Sequence, residues 1–325
     1  MGDRCAISVR LSLDEMVGES GFSNNQLRDL IAMHSELPDL WDFAHGTWAA
    51  CSGPSRFTPE AAQEDLVRGL KALTPKPVVG VGRFTSPDTM VRQIKSGLLD
   101  FIGAARPSIA DPFLPKKIDE GRIEDIRECI GCNICITGDM TGGISRCTQN
   151  PSFMEEWRKG WHPERMQPKK SEGRVLIVGA GPAGLSSARG LGLRGYEVAL
   201  AEATTTLGGR VAKERLLPGL AQWGRVADYR VGQIQKMPNV NVYRDSALTA
   251  DDIAGFGFEH VAIATGAFWR RDGVARFHLA PLALEGATLF TPDDIMNGAR
   301  PQGRVLIYDD DHYYLGGILA ELSHN

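Results

Sequence analysis

The sequence predicts an α/β chain of about two domains, and three observations carry that expectation. Residues 1–118 alternate short apolar runs with helix-like stretches. Residues 173–202 spell a strand, a glycine-rich turn, a helix and a second strand. Between these two regions, four of the six cysteines crowd into nineteen residues. The length of 325 residues suits two domains, and 42% apolar with 23% charged side chains is ordinary globular usage, which excludes a disordered or collagen-like chain. Thirty-six basic against forty acidic side chains leave a formal charge of −4, so no bulk positive field exists to attract nucleic acid. No apolar run reaches the ~18 residues of a membrane span, and the first residues lack the apolar core of a secretion signal. The expectation is a soluble, cytoplasmic chain with no nucleic-acid or membrane partner.

In residues 1–118, apolar runs at 5–11, 37–44, 77–84 and 100–106 are each long enough for a buried parallel strand. Thr58-Pro59-Glu60 and Ser86-Pro87-Asp88 each set a hydroxyl at an N-cap, a proline at the first helical position and an acid in the first turn. After Thr58, Ala62, Leu66, Leu70 and Leu73 recur at helical steps and form a face for the sheet. Four such units are half of a (β/α)8 barrel, whose remainder would lie upstream of Met1. An open four-stranded sheet fits the same pattern.

In residues 119–170 the periodicity gives way to Gly, Cys, Trp and Pro, as expected of a segment folded around something other than an apolar core. The spacing there is C-x2-C-x2-C-x11-C, through Cys129, Cys132, Cys135 and Cys147. Structural zinc usually takes two separated pairs, whereas three evenly stepped cysteines with a later fourth resemble the ligands of a [4Fe–4S] cluster. Such crowding points to metal rather than to disulfides.

A second α/β domain is expected over residues 171–298. Gly179-x-Gly181-x-x-Gly184 follows one strand and opens a helix, the context in which this pattern cradles a dinucleotide pyrophosphate. Glu202, at the end of the next strand, is placed for ribose hydroxyls. Gly208-Gly209-Arg210 and Ala264-Thr265-Gly266 match the second glycine turn and the strand-end turn of Rossmann-like domains of the glutathione-reductase type, which favours ADP or FAD over free NAD. Residues 304–308 read as a strand opening a further unit over 299–325.

Barrels commonly hold a phosphate at the loops after their last two strands. Gly82-Arg83 and Ala105-Arg106 occupy those places and offer amides and guanidinium groups suited to phosphate. Arg10, at the end of the first strand, is placed to set positive charge beside the pyrimidine edge of a flavin.

The stretches Gly82-Arg-Phe-Thr-Ser-Pro, Gly103-Ala-Ala-Arg-Pro-Ser-Ile-Ala-Asp-Pro-Phe113, Glu128-Cys-Ile-Gly-Cys-Asn-Ile-Cys135, Cys147-Thr-Gln-Asn150 and Gly160-Trp-His-Pro-Glu164 together closely resemble the trimethylamine, dimethylamine and histamine dehydrogenases. These belong to the iron–sulfur branch of the old yellow enzyme family, which also includes the 2,4-dienoyl-CoA reductases. The resemblance implies the C-terminal half of a (β/α)8 barrel carrying FMN, a [4Fe–4S] cluster beside it, and ADP or FAD in a Rossmann-like domain. It implies oxidation of a small amine to an iminium that water hydrolyses, with single electrons leaving through the cluster to an electron-transfer flavoprotein. A homodimer is expected of the full-length protein. By this resemblance the four cysteines match the cluster ligands, Arg10 the flavin-side arginine, and Gly82, Arg83, Ala105 and Arg106 the FMN phosphate turns. Trp48 matches one wall of the aromatic bowl that holds the substrate ammonium.

Two positions depart from the trimethylamine enzyme. Cys51 stands where that enzyme has an aspartate, and Asp139 where it has a second bowl tryptophan, which favours a substrate with a hydrogen-bonding or second cationic group. The family's catalytic tyrosine and histidine would precede Met1, so a chain of this extent is expected to be inactive alone. The competing enzyme is an NADPH-dependent 2,4-dienoyl-CoA or enoate reductase. It would need a second glycine fingerprint where this chain has Asp309-Asp310-Asp311, three acids that would repel a pyrophosphate. A non-catalytic electron-transfer or nucleotide-binding module is the alternative from another class.

Overall fold

The computed structural model describes residues 4–47, 57–140, 142–159 and 166–324, without the side chains of 138–140 and 158–159. It divides into two units, Met1–Glu164 and Arg165–Asn325.

In the first unit, strands β1 (Ser8–Ser12), β2 (Leu40–Ala44), β3 (Val78–Gly80) and β4 (Phe101–Ile102) form one parallel sheet in sequential order. Helix α1 (Asn24–Met33) connects the first two strands and opens on a capping box, in which Ser23 N–H donates to Gln26 Oε1 at 2.9 Å. One sheet face is apolar. Trp41 and Phe43 of β2 point into it, stacked with centroids 5.9 Å apart, and they pack with Leu13, Ile31, Leu70, Val78 and Leu99. The opposite face carries Arg10 and Asp42, directly paired in register and joined by an ion pair of 3.2 Å.

The helix expected from Thr58 does not start there. Residues 57–63 form turns, and the helical stretch is reduced to α2 (Glu64–Val67) and a short 3-10 turn, Leu70–Ala72. Tertiary contacts outcompete the local start signal. The Thr58 carbonyl accepts from Arg83, the Glu60 carboxylate accepts from Thr85 and Ser86, and Ala61 N–H donates to Gly82 O at 2.7 Å. Helix α3 (Pro87–Lys95) begins at its proline as expected, but Ser86 caps through its backbone position without a side-chain bond. Helices α4 (Ala105–Ala110) and α5 (Leu114–Asp119) follow β4, α6 (Ile134–Met140) carries Cys135, and α7 (Glu156–Lys159) lies near the end of the unit.

The second unit is a parallel sheet of β5 (Arg174–Val178), β6 (Glu197–Ala201), β7 (Val240–Tyr243) and β8 (His260–Ile263), in the order β7-β6-β5-β8. Helix α8 (Pro182–Leu193) crosses from β5 to β6, and α10 (Arg225–Gln235), preceded by the short α9 (Val211–Glu214), leads to β7. Ile177, Leu185, Ala188, Val198, Leu200 and Ile234 form its core. Helices α11 (Ala250–Gly255), α12 (Pro292–Met296) and α13 (Leu315–His324) complete the unit. The strand expected at residues 304–308 is not formed. That run pairs with no strand among the described residues, and Leu306 is 94% exposed. An apolar run without a neighbouring ladder has no backbone partners to hold it extended. No helix among the described residues is long and apolar enough to cross a membrane.

Candidate functional site

In the first unit, the turns after β3 and β4 converge on one cavity of about 410 Å3, within the range of small-molecule sites. Its walls include Arg10, Gly82, Arg83, Ala105 and Arg106, so the five positions assigned to the flavin and its phosphate share one space. Cys135 and Ile136 line the same cavity. Three guanidinium groups and no acid appear among the lining residues, a balance that suits a phosphate monoester. Gln63, 4% exposed, adds a buried acceptor to the wall. Among the described residues its Oε1 has no hydrogen-bond partner, which fits a ligand bearing N–H or O–H groups. Arg83 takes a left-handed backbone, φ 56°, and reaches the Thr58 carbonyl, which orients it across the mouth of the turn.

The cysteine loops are tied to α4. Arg127 Nε donates to Ala110 O at 2.7 Å, Asn150 Nδ2 to Ile109 O at 2.9 Å, and Gln149 Nε2 to Glu128 O at 3.0 Å. Beneath them lies a buried ion pair, Lys117 Nζ to Asp111 Oδ2 at 2.8 Å, and the same carboxylate oxygen accepts from Arg127 N–H. Gly131 N–H and Gln149 N–H donate to the sulfurs of Cys129 and Cys147 at 3.3 and 3.4 Å. Amides aimed at sulfur are what thiolate ligands require.

Burial pushes the Cys129 thiol up to about 11 and raises those of Cys135 and Cys147, and the charge of neighbouring cysteines adds to each rise. Four thiols in one neighbourhood, dry and mutually repelling when ionised, fit a site whose cation supplies the missing charge. A tetrahedral single ion at ~2.3 Å from each sulfur would hold the sulfurs about 3.8 Å apart. Among the described residues, no three cysteines, histidines or carboxylates are gathered into such a single-ion site.

In the second unit, Gly179 (φ 100°) passes so close to the turn after β8 that a Cβ there would lie 2.5 Å from Ala264 O, and a Cβ on Gly184 would collide with the Gly179 carbonyl. Gly181, by contrast, faces open space at the N-terminus of the twelve-residue α8, where a pyrophosphate can approach the amides. Gly209 packs against Gly181, with 3.1 Å left for a Cβ. Glu202 accepts from Ala180 N–H at 2.8 Å and from Thr204 N–H at 3.0 Å, which holds its carboxylate at the rim of the turn. Arg210 forms a two-pronged pair with Asp293, at 3.0 and 3.1 Å, and donates to Ala267 O. Its guanidinium therefore braces the loop beside the turn.

Residues 1–125 match the NADH:flavin oxidoreductase / NADH oxidase family, and residues 177–245 match an NAD(P)-binding Rossmann-like domain. Over 99% of this chain, dimethylamine dehydrogenase of Hyphomicrobium sp. (strain x) is 45% identical, with 46% of that protein covered. The solved structure of histamine dehydrogenase from Rhizobium sp. 4-9 is 67% identical with a TM-score of 0.93, covering 99% of this chain and 47% of the other. Over nearly its whole length the chain is similar to dimethylamine and histamine dehydrogenases. A further solved structure, 6-hydroxypseudooxynicotine amine oxidase from Pseudomonas geniculata N1, is 51% identical with a TM-score of 0.92, covering 99% of this chain and 49% of the other. The chain thus spans about half the length of the relatives it matches.

The substrate-pocket assignments at Trp48 and Asp139, and the departure at Cys51, lie outside the described residues or side chains. Sequence reading missed Gln63 and Asn133. Gln63 sits in a stretch whose pattern reads as ordinary helix surface. Asn133 lies inside the cysteine motif, where spacing draws attention to sulfur alone. Its Oδ1 accepts from Arg106 at 2.5 Å.

Proposed function

We propose that the chain is the portion of an amine dehydrogenase that holds FMN, a [4Fe–4S] cluster and ADP or FAD. The observation that carries this reading is the shared cavity, where the arginines of two phosphate-type turns and a cysteine of the C-x2-C-x2-C segment line one space. A bound flavin supplies two-electron oxidation of an amine C–N bond, and the cluster supplies a one-electron exit. Gly82, Arg83, Ala105 and Arg106 hold the flavin phosphate by amides and charge, and Arg10, steadied by Asp42, places a cation near the ring. Cys129, Cys132, Cys135 and Cys147 ligate the cluster. Gly179, Gly181, Gly184 and Gly209 admit the pyrophosphate of ADP or FAD, with Glu202 toward its ribose and Arg210 bracing the turn.

The oxidised amine is an iminium, which water divides into an aldehyde and the nitrogen it carried, a shorter amine from an N-methylated substrate and ammonia from a primary one such as histamine. Trp48 and Asp139 line the substrate pocket in this reading, and a histamine-like amine or diamine is preferred over trimethylamine. Identities of 67% and 51% with proteins named for histamine and for an amine oxidation support that preference. An electron-transfer flavoprotein accepts the electrons, and the full-length protein is a cytoplasmic homodimer. The limits 1–118, 119–170, 171–298 and 299–325 divide the chain into half barrel, cluster segment, nucleotide domain and the start of a further unit. The half barrel gains support from the parallel sheet, because such sheets are normally covered on both faces, and here the Arg10–Asp42 face lies opposite the helices' apolar face. The reductase and module readings have weaker support than the amine-acting relatives give this one.

The test is iron, sulfide and flavin analysis of the full-length protein, followed by turnover of histamine, a diamine, dimethylamine and trimethylamine with an artificial electron acceptor. About four irons per FMN and oxidation of at least one amine are expected. Fast flavin bleaching by NADPH, without amine turnover, would replace this reading with the reductase.

A further inference from the structure

Arg106 stands between two sites. It lines the cavity with Arg10 and Arg83, and its NH1 donates to Asn133 Oδ1 at 2.5 Å, between Cys132 and Cys135 in the chain. Asn133 is well fixed for this. Its backbone is left-handed, φ 59°, a conformation asparagine tolerates better than most residues, and its carbonyl accepts from Ile136 and Thr137 N–H, both at 3.0 Å, where α6 begins. The bond to Asn133 sets the guanidinium beside the loop that carries Cys132 and Cys135, and Cys135 lines the same cavity as Arg106. An aspartate in place of Asn133 would bind the same arm but cancel its charge. A neutral amide holds the guanidinium and leaves its charge in place, and the same side chain lines the cavity of the two phosphate-type turns.

We propose that Asn133 is a positioning residue that anchors Arg106 against the cysteine loop, so that one guanidinium serves both the flavin phosphate turn and the electron affinity of the cysteine-held centre. This rests on the cluster reading above. Each electron entering the centre adds negative charge, which a fixed cation nearby stabilises, so the Arg106–Asn133 pair raises the reduction potential.

The test is a reductive titration of the full-length holoenzyme followed by electron paramagnetic resonance, with iron and flavin counted in each sample. Asn133→Ala and Arg106→Met are each expected to lower the midpoint potential of the centre by about 59 mV or more, a tenfold change in the one-electron equilibrium. Because Asn133 acts through Arg106, the double variant should match Arg106→Met alone. Additive shifts, or an unshifted Asn133→Ala, would overturn the proposal. Should Asn133→Ala hold no iron, Asn133→Gln, which keeps the amide oxygen, must restore both iron and potential, and its failure would also overturn it. A wild-type protein without iron and sulfide refutes the cluster reading itself, an outcome distinct from any of these.

Discussion

Replacing Lys117 by methionine tests whether the buried charges under the cysteine loop hold the first unit together. The Lys117 and Asp111 side chains are 5% and 0% exposed, so removing the ammonium strands a carboxylate away from water. Among the described residues, Asp111 would keep only its amide donors, Phe113 N–H at 3.1 Å and Arg127 N–H at 2.8 Å, and the Asp125 carbonyl would lose its bond from Lys117. Breaking a buried pair in this way costs about 3–5 kcal/mol. For a unit of this size, at roughly 2–4 °C per kcal/mol, the melting temperature should fall by about 10 °C. Thermal unfolding of the full-length holoenzyme, followed by circular dichroism and flavin release, gives the measurement. The further replacement Asp111→Asn in the same chain should recover at least ~1 kcal/mol, because it removes the stranded charge. A loss below ~1 kcal/mol in Lys117→Met, or no recovery in the double variant, would show that solvent reaches Asp111 and that the network is not buried as described.

Gly184→Ala should abolish nucleotide retention in the second unit while leaving FMN and iron in place, since its Cβ would meet the Gly179 carbonyl; chromatography of heat-released nucleotide reads this out. Arg83→Met should weaken FMN retention at least tenfold, in line with the ~1.5–3 kcal/mol of a hydrogen bond to a charged group, measured by reconstitution of flavin-stripped protein. Burial raises the carboxyl of Glu214 above its usual range, against the attraction of Arg210 and a hydrogen bond from Tyr314. The folded state therefore holds this proton more tightly than the unfolded chain. The contribution of Glu214 is fully favourable below the unfolded value and is lost as pH rises through the raised one. Glu214→Gln should accordingly flatten the fall in second-unit stability as pH rises above the ordinary glutamate range, seen in denaturant midpoints measured across a pH series.

The glycine turn was legible because each glycine answers a local backbone demand. Gly179 needs a positive φ and Gly184 needs the absence of a Cβ, and both requirements are written at fixed offsets. Arg10, Arg83 and Arg106 were legible as a set because consecutive parallel strands end on the same side of a sheet, which brings separate loops to one cavity. The stretch after Thr58 misled for the opposite reason. Its cap, proline and acid satisfy every local rule for a helix start, yet Arg83, Thr85 and Ser86 claim the same groups from 25 and 26 residues away. Residues 304–308 misled because strand-like composition does not itself provide a neighbouring strand. Asn133 and Gln63 matter through partners in space, Arg106 and the cavity wall, and nothing in their local pattern distinguishes them.

The sequential order of the first sheet leaves β1 and β4 each with one row of peptide groups unpaired among the described residues. Rows of this kind are adhesive, since any extended segment that docks there gains main-chain bonds with little regard for its side chains. Handling this polypeptide by itself therefore invites self-association through its margins.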